Sequence, residues 1–167
     1  MIRFAALGLL MFACGMAGAL GQRNLSLRVR ELEAALRMIS SLRTQMQFSR
    51  APMLPLVEQL CAQGQAPSFL PQCLAKMRAG LPFPSAWRQA AGAKAFDGLR
   101  DEDRRILLSL GDLLGTTDAA GQREGLLLHE ELTRELLDRA QQRRNSQGKA
   151  RLLLGILAGL TLMILLV

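Results

Sequence analysis

Hydrophobic positions along this chain fall into two kinds of run. Unbroken apolar stretches occupy residues 4–21 (FAALGLLMFACGMAGALG) and 152–167 (LLLGILAGLTLMILLV), and neither contains a charge. Between them, apolar residues recur at steps of three and four. Leu25, Val29, Leu32, Leu36, Ile39, Leu42 and Met46 mark one face of a helix about six turns long. No proline occurs between Ile2 and Ala51, so the first apolar stretch is expected to run unbroken into this helix. Pro52 and Pro55 open a segment from Met53 to Gln63, ended by Gly64. Pro67 opens another, through Arg78, ended by Gly80. Pro82 and Pro84 bracket a loop, after which Ser85 can cap a short helix through Ala91.

The second half repeats the period. Asp101, Glu102 and Asp103 precede Ile106, Leu107, Leu110, Leu113 and Leu114, a helix start whose acids oppose the positive end of the helix dipole. Gly115 is expected to end this helix and Asp118 to cap the next. The next carries Leu126, Leu127, Leu128, Leu132, Leu136 and Leu137, turns polar over 141–147, and meets no proline before Val167. It reads as one long helix, although Gly121, Gly125 and Gly148 each weaken it by roughly 1 kcal/mol relative to alanine. No segment shows the alternation of a strand. The fold class expected is all-α, a helical bundle.

The apolar stretches extend the picture to a membrane. A bilayer core about 30 Å thick needs roughly 20 apolar residues in a helix. The first stretch qualifies. The second, about 24 Å of helix, spans if the bilayer thins locally. The expected organisation is a transmembrane helix at 1–21, a helical-bundle domain at 22–151 and a transmembrane helix at 152–167. Arg23, Arg28, Arg30, Arg143, Arg144, Lys149 and Arg151 flank the inner ends of the two spans, against Arg3 alone outside. Lysine and arginine near span ends stay cytoplasmic, so the domain is expected to be cytoplasmic. The alternative is a membrane-anchored regulator or sensor with an extracytoplasmic helical domain, because Ala17-Gly18-Ala19 fits a signal-peptide cleavage site. Against it stand an n-region with one arginine and no positive charge after Leu152.

Charge and chemistry change the picture less. The central segment holds 20 Lys and Arg, the chain's 21 less Arg3, against all 14 acids, a net of +6. That suits an anionic membrane surface, with much of the excess near the spans. Nucleic acid is disfavoured: there is no tyrosine and no basic patch interleaved with aromatics. Cys61 and Cys73 lack metal-site spacing, and His129 is the one histidine, so no metal or cofactor site is expected. His129 beside Glu130 or Glu131 is a formal general-base pair, but a lone helical histidine is far more often structural. No catalytic motif is present, and no enzyme activity is expected. Asp101, Glu102 and Asp103 diverge on a helix, which makes them a solvated cap or a partner-docking surface rather than a chelate. Trp87 is either the largest core residue of its short helix or a partner anchor. Gly155 and Gly159 form a GxxxG in an apolar stretch, a surface for close helix packing within one hairpin or between copies.

Several of these features together resemble a known family. An apolar span runs into a basic amphipathic helix; Gly80 is followed by Ala86-Trp87; then comes Leu110-Gly111-Asp112-Leu113-Leu114-Gly115-Thr116-Thr117-Asp118, with Gln122 four residues on; a long helix into a terminal span completes the order. This resembles stage III sporulation protein AB of endospore-forming bacteria, along essentially the whole chain. The resemblance implies no catalytic residues. It implies a helical bundle similar to the cytoplasmic domain of the F-type inner-membrane platform protein of type II secretion. It also implies a partner, the secretion-type ATPase called stage III sporulation protein AA, other channel components, and a place in the cell membrane on the mother-cell side of the channel to the forespore.

Overall fold

In a computed structural model of the protein, the backbone is described for residues 2–48, 52–64, 66–93, 98–116 and 119–166, and the side chains for 23–46, 52–64, 66–93, 98–114 and 121–146. Among these residues six helices follow one another: α1 (Ile2–Phe48), α2 (Met53–Ala62), α3 (Leu70–Arg78), α4 (Phe83–Gly92), α5 (Asp101–Thr116) and α6 (Ala119–Leu166). Among the described residues there is no strand, in keeping with a periodicity that never falls to two.

The two long helices, α1 and α6, make the principal pairing of the fold. They run antiparallel. Arg43 of α1 meets Glu130 of α6 at 3.3 Å, and Gln141 donates to Glu33 at 3.4 Å, so a step back along one helix is a step forward along the other. Val29 and Leu32 pack against Leu136, Leu137 and Ala140 at one end of this seam. The rest of the α1 stripe (Ala35, Met38, Ile39 and Leu42) turns into a second, larger core with residues of α2 to α6.

Trp87 lies within that larger core, 1% exposed. Phe69 meets it edge-on at a centroid distance of 5.0 Å, and Phe83, one turn earlier on α4, lies at 5.4 Å. Its indole N–H donates to the Leu107 carbonyl at 2.7 Å, so a large apolar side chain is buried with its one donor satisfied. Of the two readings of Trp87, the core residue holds, and the partner anchor is excluded by burial.

Element boundaries differ from expectation where proline misled. α4 begins at Phe83 with Pro82 before it and Pro84 in its first turn, so Ser85 is an exposed interior residue and not the cap. A first-turn proline loses no helix bond, because that N–H has no intrahelical partner. α3 begins at Leu70, after a turn in which the Leu70 N–H reaches the Pro67 carbonyl. Gly64 and Gly80 do close their helices with positive φ, +67° and +93°. α5 runs one residue past Gly115, to Thr116.

Of the stretches 4–21 and 152–167, read above as spans, residues 4–21 and 152–166 follow helical backbone in α1 and α6, but their side chains lie outside the described residues. Among the described residues no helix is long and apolar enough to cross a membrane.

Candidate interaction site at the start of α5

The three acids expected to project as a docking surface are divided by the structure. Asp101 is exposed and the Glu102 side chain is half exposed, but Asp103 is 1% exposed. Arg28 of α1 donates through Nε to Asp103 Oδ2 at 2.8 Å and through a terminal nitrogen to Oδ1 at 2.8 Å, a two-point clamp. The Arg100 backbone N–H adds a third bond to Asp103 at 2.8 Å. That last bond is half of a capping box: the third helical residue reaches back to the amide before the helix. Asp103 is therefore a buried structural anion and is withdrawn from the docking surface. Adjacent acids diverge by about 100° around a helix, and Asp103 is the one of the three turned toward α1.

Arg28 changes role as well. Expected among the basic residues flanking the first span, it is 2% exposed and committed to Asp103 and, at 2.9 Å, to Glu102. The hydrogen bond to Asp103 raises its pKa above the ordinary arginine value, against the opposing effect of burial. The clamp needs α5 close to α1, and Gly98 (φ +72°) permits that approach. A Cβ there would lie 2.7 Å from the Asn24 carbonyl oxygen and 3.0 Å from the Arg28 amide nitrogen. Arg104, the next residue of α5, is also buried, and its guanidinium donates to the Ala91 and Ala93 carbonyls at the end of α4. None of these pairings has a periodic signature. The signals available in the sequence were an acid at the third position of the helix and a lone glycine three residues before its start.

The residues quoted for the family motif act in packing. Leu110 and Leu114 are core residues. Gly111 lies under the indole: a Cβ would come within 2.0 Å of Trp87 Cδ1, so the helix can pass only without a side chain. Gln122 donates to the Leu114 carbonyl at 3.2 Å, tying the start of α6 to the end of α5. The side chains of Gly115, Asp118, Gly155 and Gly159 lie outside the described residues.

His129 is 8% exposed on α6. Its Nδ1 lies 2.8 Å from the Gly125 carbonyl, which can only accept, so Nδ1 carries a proton, and Nε2 lies 3.0 Å from the hydroxyl of Ser109, which also reaches the Ile106 carbonyl at 3.0 Å. Glu130 turns instead to Arg43, and Glu131 is exposed. The general-base pair with a neighbouring glutamate does not assemble; the imidazole fastens α5 to α6. Burial raises the Cys73 thiol to about 11 with Cys61 adding to it, and raises Cys61 against the pull of Arg78. Both are free thiols. Among the described residues no cluster of three metal-ligating side chains occurs.

The geometry defines a class: an all-helical bundle on two long antiparallel helices, in which the charged and small residues of interest join elements together. The chain belongs to the stage III sporulation protein AB family, whose model matches residues 3–167. That is a sporulation family, not a known family of enzymes. No curated protein and no solved structure matches the chain.

Proposed function

We propose that this chain is a membrane-anchored platform component of the channel between mother cell and forespore, which docks a secretion-type ATPase at the membrane and does no chemistry itself. The observation that carries the proposal is the antiparallel register of α1 and α6. Twelve residues back from Glu33 is position 21, and twelve on from Gln141 is position 153. Continued at that register, the two helices bring the edges of both apolar stretches level with one another. Two adjacent spans then leave the bundle from one end, which is the geometry of a hairpin anchor. The sequence resemblance, which implies a bundle similar to that of the F-type platform protein, supports the reading, and the flanking arginines favour a cytoplasmic domain.

Co-purification of stage III sporulation protein AA with the full-length chain tests the docking role. Retention of the ATPase in detergent and in native membranes is expected; its absence beside a folded protein overturns the role. Orientation is read separately. A cysteine at exposed Gln142, in a background lacking Cys14 and Cys61, is expected to resist impermeant thiol reagents in intact cells, and ready labelling there reverses the topology.

A further inference from the structure

The packing of Gly98 against α1 has a second consequence, which rests on the reading of residues 4–21 and 152–167 as spans. Gly98 abuts the Asn24 carbonyl and the Arg28 amide. Asn24 is three residues past Gly21, about 4.5 Å along the helix, and Arg28 about 10 Å. The polar layer on each side of a bilayer is roughly 5–7 Å thick. The loop leading into α5, remote in sequence from either span, is thereby held at headgroup depth.

The charges at that level are mostly of one sign. Arg100 follows Gly98 by two residues, is exposed, and shares an open cleft with Arg143 of α6. Arg23, Arg30 and Arg144 are exposed on the neighbouring stretches of α1 and α6. Arg143 and Arg144 stand about 12–14 Å of helix from residue 152, and long arginine side chains stretch toward headgroups. The opposing charges are Asp101 and Glu102, which line the cleft, with Glu102 already shared with Arg28, and Glu31 and Glu33 beside Arg30, which accept from the Ser68 amide and from Gln141. We propose that this base of the bundle, Arg23, Arg30, Arg100, Arg143 and Arg144, is a docking surface for acidic phospholipid headgroups. The pair Arg100 and Arg143 clasps a lipid phosphate from two sides. The bundle is then held against the bilayer at a third point besides its two spans, which fixes its tilt.

Full-length protein in mixed detergent–lipid micelles tests this through its thermal midpoint, followed by Trp87 fluorescence. Phosphatidylglycerol is expected to raise the midpoint by roughly 2–4 °C more than phosphatidylcholine, and salt at about 0.5 M to reduce the difference by screening. Arg100→Gln with Arg143→Gln is expected to lose at least half of that difference. Arg88→Gln with Arg123→Gln, exposed positions toward the opposite end, is expected to keep it. If the first pair misfolds in phosphatidylcholine, Arg23→Gln with Arg144→Gln takes its place. Equal midpoints in the two lipids, equal losses in both variant pairs, or the same rise with soluble glycerol phosphate overturns the proposal. Alkaline carbonate extraction of native membranes separates the premise: extraction of the protein removes the span reading, whereas resistance with equal midpoints removes this proposal alone.

Discussion

Two of the joints that hold α5 in the bundle are opposites. At its C-terminal half, Gly111 and the Leu107 carbonyl receive Trp87, with Phe69 and Phe83 around the ring. At its N-terminal end, Asp103 receives Arg28, the Arg100 amide closes the carboxylate, and Gly98 lets α1 approach. The apolar joint gains free energy from area removed from water and from close fit. The ionic joint gains little on balance, because desolvating two charges offsets most of their attraction, yet it is costly to break by halves. What it supplies is position: a clamp with fixed geometry between the helix that leads to the first apolar stretch and the helix whose start carries the exposed acids.

That contrast can be broken from either side. Arg28→Ala leaves Asp103 buried without its cation and is expected to cost about 3–5 kcal/mol in urea unfolding. Trp87→Ala, which removes a large buried ring, is expected to cost about the same. The pair distinguishes itself on double substitution. Arg28→Met with Asp103→Leu, similar in volume and apolar, is expected to recover most of the loss, as buried ion pairs often do. No single partner substitution restores the Trp87 cavity. Failure of the double variant to recover stability shows that the clamp contributes more than the avoidance of an unpaired charge.

Gly111→Ala probes the apolar joint from the other side. A methyl 2.0 Å from the indole cannot fit without movement. Overpacking costs typically about 1–3 kcal/mol, partly offset by the better helix propensity of alanine, about 1 kcal/mol. A net stabilisation shows that the indole can shift freely. The alkaline limb is a smaller effect and belongs to the same core. Burial raises the Cys73 thiol from its ordinary range to about 11. As pH climbs through that window, the unfolded chain gives up its thiol proton before the folded one, so it binds fewer protons and stability falls. Cys73→Ala is expected to flatten the decline between pH 9 and 11. Smallest of all, Asp101→Lys at an exposed helix start is expected to leave stability within about 0.5 kcal/mol. A larger loss places Asp101 in the clamp alongside Asp103.

The helical period made most of the fold legible. Val29, Leu32, Ile39 and Leu42 of α1, Leu107, Leu110 and Leu114 of α5, and Leu126, Leu136 and Leu137 of α6 are buried where a 3.6-residue repeat puts them, and the acids mark the α5 start, whereas Leu127 and Leu128 of the same leucine run are exposed. The whole-chain family resemblance was legible too, because the motif around Gly111 combines several spaced residues. Prolines were harder to read: one before a helix and one in its first turn resemble a loop, as Pro82 and Pro84 did.

The sequence by itself determined that the chain is helical and where the long helices run, since apolar periodicity is a local property of each segment; that Trp87 sits in the larger core and not on a partner surface took the tertiary structure. Only the tertiary structure decided which charges are free. Arg28 and Asp103 are 75 residues apart, and each had a plausible solitary role, one beside a membrane and one on a docking surface. Composition cannot distinguish a solvated charge from a paired one. Their partnership exists because α1 and α5 meet at a glycine, and that meeting is set by the packing of every helix between them.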